Sequence, residues 1–416
     1  SVAADREAGA MRQVNDVKHD PESDLLAVVG PAHAGGDGFR GAAVFDVADP
    51  TAPERVALVG TSWFNHNCFL TGGRLYLAAN DGVENALVAY DARAGEELGR
   101  WSITGVEPGW AEVPFGLWPL HDLWVGDGTA YLAHWDAGTW LVDVSDPAEP
   151  RYVGHLRGAD PAAFAGASRE EARRASVQRP GNDHFVTVND RGTLLGIGVE
   201  AWDVGEPDPA DAPGGIHLFD VSDPAEPTEV AVVDPPPTDD ASFGGTWTTA
   251  HNFEFRRDRL ISSWYQGGVR VHDVSDPAEP TEVAAWRDAA RTSFWTARGA
   301  ADGFFVAGSR RDPRTDLRRE SAGAAVYTFP LDPATPTPAP TPTPAPPTTT
   351  GEGTDDRAAG GTARTVAEPT PGGTTDTRAP GFGLGSALAA LAGGLGAWRA
   401  LRGRGGSGSD ADDGER

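Results

Sequence analysis

One phrase recurs almost letter for letter along this chain: Asp-Val-Ser-Asp-Pro-Ala-Glu-Pro, at residues 143–150, 220–227 and 273–280. It limits the available folds more than any other feature. A short apolar run precedes each copy (Trp140, Leu141 and Val142 before the first), and another follows it (Tyr152 and Val153 after the first). Asp146, Asp223 and Asp276 can each accept a hydrogen bond from the backbone two residues on, and the proline beside each presets φ for a tight turn. The unit reads as strand, turn, strand. A looser copy at residues 46–53 shows that the repeat starts near the N-terminus.

Aligning the copies exposes a second register. His66 lies ten residues before Tyr76, His121 ten before Tyr131, His184 ten before Leu194 and His251 ten before Ile261. Each repeat then holds a strand headed by histidine, a polar or Gly-containing hairpin and a second strand; a third strand ends in the turn phrase and a fourth follows. Four antiparallel strands recurring every ~50–70 residues are the signature of a propeller blade. The expected fold is therefore all-β, a β-propeller with six blades, seven being the alternative count. The sixth blade uses Phe294 and Trp295, Phe304 to Ala307, and Ala324 to Phe329, with no good fourth strand. The segment before Asn15 is expected to close the ring by pairing with that blade. Residues 102–117, 158–181 and 234–248 interrupt the repeat, each ahead of a histidine-headed strand, so they should stand together on one face. The second of them contains one short helix.

Composition changes after the repeats. Residues 1–332 form the propeller, and 333–379 a disordered Pro/Thr/Gly-rich stalk whose first part alternates Pro with Thr and Ala. Residues 380–404 hold an apolar run expected to be a helix, followed by Arg399, Arg402 and Arg404, and 405–416 form an acidic tail. The apolar run is marginally long enough for a bilayer, and the arginines after it place that end inside and the propeller outside. With 61 acidic against 34 basic residues, the formal charge is -27. Such a surface disfavours nucleic acid and anionic lipid, and matches a surface solvated in molar salt, as in an extreme halophile. The single cysteine, Cys68, excludes an internal disulfide and reads as a small buried hydrophobe.

The repeated phrase with its strand pair resembles the LVIVD-repeat family of bacterial and archaeal surface propellers over most of residues 13–330. The tail, with Pro380, Gly381 and Phe382 ahead of the apolar run and the arginines, is similar to the haloarchaeal PGF-type C-terminal sorting signal. That resemblance implies processing by an archaeosortase and attachment to a lipid anchor at the cell surface. The acidic tail departs from it, because such signals usually stop soon after the arginines.

The first strand of a propeller blade lines the central channel, so His66, His121, His184 and His251 form a candidate metal or ligand ring. Neutral imidazole suits Fe, Cu or Zn. Asn67, Asp122, Asp183 and Asn252 stand beside the histidines as candidate partners for their outward N–H groups. Asn15 or Asp16 in the first blade, and Ser293 or Trp295 in the sixth, fall near the matching place. Trp63, Trp118 and Trp247, three or four residues before three of the histidines, would give the ring an aromatic rim. These features point to a binding or scaffold module of the cell envelope, its partner an envelope protein or a small ligand. Two alternatives stand beside it: a metal-dependent extracellular enzyme, foremost an oxidoreductase, and a ring of histidines that serves only to hold the fold.

Overall fold

The computed structural model describes residues 14–31, 39–205, 212–300, 303–310 and 324–331. Six antiparallel sheets follow one another along the chain. Blade 1 runs from β1 (Asp16–Asp20) to β4 (Glu54–Gly60), blade 2 from β5 (Cys68–Thr71) to β8 (Glu97–Trp101), and blade 3 from β9 (Asp122–Gly126) to β12 (Arg151–Leu156). Blade 4 runs from β13 (Asp183–Val188) to β16 (Thr228–Val233), and blade 5 from β17 (Phe253–Arg256) to β20 (Thr281–Trp286). Blade 6 has three strands among the described residues, β21 (Phe294–Gly299), β22 (Phe304–Ser309) and β23 (Ala325–Pro330). Strands pair in sequence order within every sheet, so each blade is a meander.

The core lies between blades. Leu25, Ala27, Val29 and Val44 of blade 1 pack on Leu70, Leu75, Leu77 and Val88 of blade 2. Blades 2 and 3 meet through Tyr76, Leu87, Leu123, Leu132 and Trp140, and blades 4 and 5 through Phe185, Leu218, Phe253 and Trp264. Both faces of an inner strand are thereby covered. This is why stretches such as β13 are buried at every position and show no alternation of apolar and polar residues. First strands of successive blades touch in turn, β1 with β5, β5 with β9, β9 with β13, β13 with β17 and β17 with β21, and they wall the axis.

The turn phrases lie on the face opposite the heads of the first strands. Asp143, Asp220 and Asp273 each accept the backbone N–H of the serine two residues on, at 2.9 Å. Asp146, Asp223 and Asp276 do the same for an alanine, at 3.0 to 3.1 Å. The interruptions enter the other face. Residues 158–181 carry α1 (Arg169–Ala175), started by a capping box in which Ser168 and Glu171 satisfy each other's backbone N–H.

Residues 1–13 of the segment before Asn15, the stalk at 333–379, the sorting signal at 380–404 with Pro380, Gly381 and Phe382, and the acidic tail lie outside the described residues. No helix among the described residues is long and apolar enough to cross a membrane.

Candidate functional site at the channel mouth

The strand ladders fix which residues are equivalent. Ala27, Tyr76, Tyr131, Gly196, Ile261 and Val306 share one position on the second strands, opposite Lys18, Phe69, Trp124, Thr187, Glu254 and Arg298 on the first. Three residues before the latter set stand Asn15, His66, His121, His184, His251 and Trp295, one from each blade. The four histidines do occupy one register. The ten-residue spacing reaches it by a different route in blade 4: Leu194 pairs with Asp220, the place held by Arg74 opposite Asp91 in blade 2, so the residue matching Tyr76 is Gly196. A hairpin two residues longer, around Asn189 to Gly192, absorbs the difference.

The rings crowd together around the axis. Their centroids are separated by 4.3 Å from His66 to His121, 3.6 Å from His121 to His184 and 5.1 Å from His184 to His251, and Trp295 follows 4.0 Å from His251. His184 and His251 are 4% and 2% exposed. Burial first, and then the neighbouring imidazoles, hold His121 and His184 well below the usual histidine range; burial does the same for His251. All three are therefore neutral at pH 7, the form that binds metals.

Nδ1 of these rings links blade to blade. His121 Nδ1 lies 2.7 Å from the carbonyl oxygen of His184, and His251 Nδ1 lies 2.7 Å from that of Trp295. An N–H there fixes the tautomer and leaves Nε2 as the lone-pair atom. Asn15 Nδ2 instead donates to both the carbonyl and Nδ1 of His66, at 3.3 Å each, which makes Nε2 the protonated nitrogen of that ring. His184 breaks the relay. Its Nδ1 faces Asn182 Oδ1 at 3.3 Å and Glu200 Oε2 at 3.1 Å, both within its own blade. Nε2 of His184 and of His251 is buried without a partner.

A second ring lies above the first. Four residues past the aligned second-strand position stand Pro31, Asn80, Trp135, Glu200, Tyr265 and Arg310. Asn80 is used structurally, bonding Leu120 N at 2.9 Å and Leu120 O at 2.7 Å. Trp135 and Tyr265 sit at φ of 44° and 49°, a left-handed backbone that bulky side chains seldom adopt and that clusters at functional positions. The hydroxyl of Tyr265 donates to Glu200 Oε1, and its ring lies 4.8 Å from that of His251. Burial pushes the Glu200 carboxyl up to about 7, against the pull of the Tyr265 hydrogen bond and the Arg310 charge. Single donor atoms of His184, Glu200 and His251 all lie within 4.8 Å of one another.

Further along the first strands stand two charge pairs and an aromatic contact. Lys18 pairs with Asp16, Arg298 stands 3.6 Å from Glu254, and Phe69 and Trp124 meet at 5.8 Å. Of the residues expected beside the imidazoles, the side chains of Asn67, Asp122 and Asp183 are engaged elsewhere among the described hydrogen bonds. Asn67 donates to Asp122 at 2.6 Å and to the His121 carbonyl at 2.8 Å; burial lifts Asp122 to about 8. Asp183 accepts from Arg157 at 2.7 Å and from Thr139 at 2.8 Å, between blades 3 and 4. The backbone carbonyl of Asn252 accepts from Ser263 Oγ at 2.7 Å.

The expected aromatic rim divides. Trp118 is 1% exposed and belongs to the core between blades 2 and 3, its indole N–H bonded to Val113 O at 3.1 Å. Trp63 packs on the core between blades 1 and 2. Trp247 alone of the three reaches the site, edge-on to Tyr265 at 5.1 Å. Glu200, Tyr265 and Arg310 have no signature in the sequence because their position holds a different residue type in every blade. Counting four residues on from the aligned second strands is the one signal that finds them. A surface hollow lined by Glu107, Trp110, Trp140, Tyr152 and His155 includes none of the four histidines.

A family model described as the LVIVD repeat matches residues 120–157 and 210–234, which cover most of blade 3 and the third and fourth strands of blade 4. No curated protein matches the chain. Among solved structures, the computationally designed Ika8 protein is similar at 9% identity, over 79% of this chain and 74% of that one, with a TM-score of 0.46. The β-propeller domain of Myceliophteria thermophila Cps50 (Swd1) is similar at 14% identity, over 73% and 82%, with a TM-score of 0.45. The six sheets, their order and the matched repeats together make this protein a six-bladed β-propeller that carries LVIVD repeats.

Proposed function

We propose that the protein is a binding module displayed on a haloarchaeal cell surface by its C-terminal stalk, and that its channel mouth binds a transition-metal ion through His184, Glu200 and His251. One observation carries the reading. His184 and His251 are buried with Nε2 unpartnered, and one donor atom of each lies within 4.8 Å of the other and of a Glu200 carboxylate oxygen. A buried polar atom without a partner is uncommon, and an ion is one of the few things that satisfy it. Two histidines and one carboxylate with further positions open suit Fe(II) or Zn(II). His121 adds a third neutral imidazole next to His184.

Surface display rests on the composition of residues 333–416, which would be cut near Pro380, Gly381 and Phe382 by an archaeosortase and joined to lipid. A catalytic reading, foremost an oxidoreductase, is favoured by a single feature. In the metal-free protein burial raises the Glu200 carboxyl to about 7 and the Tyr265 hydroxyl donates to it, so with the ion held by the histidines alone Glu200 can accept or donate a proton beside it.

Metal content tests the proposal. Protein purified in high salt should retain about one equivalent of iron or zinc, and His184→Ala or His251→Ala should release it. Sub-stoichiometric metal in the parent, with the alanine variants losing stability and nothing else, would leave the histidines as staples between blades.

A further inference from the structure

We infer that Arg310 anchors a small carboxylate ligand at the channel mouth, beside the proposed metal. Arg310 occupies the same ring as Glu200 and Tyr265, so the topology aims it at the axis from blade 6. Its guanidinium lies over three aromatic rings, 4.8 Å from the centroid of Tyr265, 4.8 Å from Trp295 and 5.4 Å from Trp247. Tyr265 stands nearly perpendicular to Trp295 and to Trp247, so the rings surround the guanidinium and supply no carboxylate acceptor. The Nε–H is buried without a partner, and no ion pair to Arg310 occurs among the described residues. Glu200, which would be the natural acceptor, is already engaged by Tyr265 and His184.

A guanidinium packed among rings with a buried N–H left unpaired costs stability unless something anionic completes it. Cation–π attraction accounts for the rings around the guanidinium but not for its unpaired Nε–H. The planar fork matches a carboxylate through two parallel hydrogen bonds. Glu200 faces the same space and disfavours a more highly charged anion. Two of the three stacking rings, Tyr265 and Trp295, also touch His251, at 4.8 and 4.0 Å, so a ligand held on Arg310 lies within reach of the metal ligands. For its location next to an ion, the inference rests on the metal reading above.

The test is calorimetric titration of the zinc-loaded full-length protein with sodium acetate at constant ionic strength, with the metal-free protein titrated in parallel. Arg310→Ala should weaken acetate about 10- to 100-fold while zinc content stays at the parental value. Arg310→Lys, which keeps the charge and loses the fork, should weaken it about tenfold and guards against a folding defect in the alanine variant. Acetate affinity unchanged in both variants overturns the inference, as does sulfate binding as tightly as acetate. Failure to retain zinc while acetate binding still depends on Arg310 would sink the metal site alone. Zinc retained with no acetate binding would sink the carboxylate site alone.

Discussion

On the face with the turn phrases, Asp143, Asp220 and Asp273 repeat one contact at one distance, the serine N–H at 2.9 Å. At the mouth, the same blades present His121, His184 and His251 in one register and do not repeat. His121 and His251 reach the next blade's carbonyl, whereas His184 turns to Glu200. Identical geometry in every blade is what a turn needs, because each turn has the same local job. Divergence at equivalent positions has no such explanation. It arises where six blades share one axis and each side chain meets a different neighbour.

If the mouth holds the blades together as well as a ligand, its substitutions should cost far more than those in the turns. His251→Ala removes the bond to Trp295 and leaves a void, and should destabilise the metal-free protein by about 4 kcal/mol in denaturant unfolding. A change under ~1 kcal/mol would mean that the relay between blades carries little energy.

Acidity should separate the two kinds of group at the mouth. The folded-state values of His121, His184 and His251 lie below 6.5, so their contribution is complete above that pH and is lost as pH falls through the lowered values. Glu200 is raised from 4.5 to about 7, so its contribution is complete below 4.5 and is lost as pH rises to about 7. Unfolding free energies of the metal-free parent and Glu200→Gln, measured from pH 4.5 to 8, should diverge by about 3 kcal/mol across that rise. Parallel curves would place the carboxylate in water.

Tyr265→Phe should cost about 2 kcal/mol at pH 8, where Glu200 is ionised and loses its hydroxyl donor, and should move the carboxyl further up in an infrared titration. The smallest effect belongs to the other face. Asp273→Asn keeps an acceptor for Ser275 and should shift the melting temperature by about 2 °C or less. A larger drop would show that the turn does more than reverse the chain.

Much of the molecule is legible in its sequence. The blade boundaries, the short helix α1 and the shared register of the four histidines follow from spacing within one repeat, because turn and strand chemistry is local. Trp118 shows where that reasoning stops. Its distance from His121 matches a rim residue, yet the chain between blades 2 and 3 folds back and buries it.

Residue order is enough to dictate the propeller, since a repeated strand–turn–strand unit with two apolar faces can bury itself only against its own copies. It also dictates that histidine heads four first strands. Only the closed ring settles which nitrogen of each imidazole is used, that His184 departs from its equivalents, and that Glu200, Tyr265 and Arg310 meet them at the axis. Those three come from blades 4, 5 and 6 and resemble one another in nothing but position. Closing the ring brings them together, and no spacing along the chain encodes that closure.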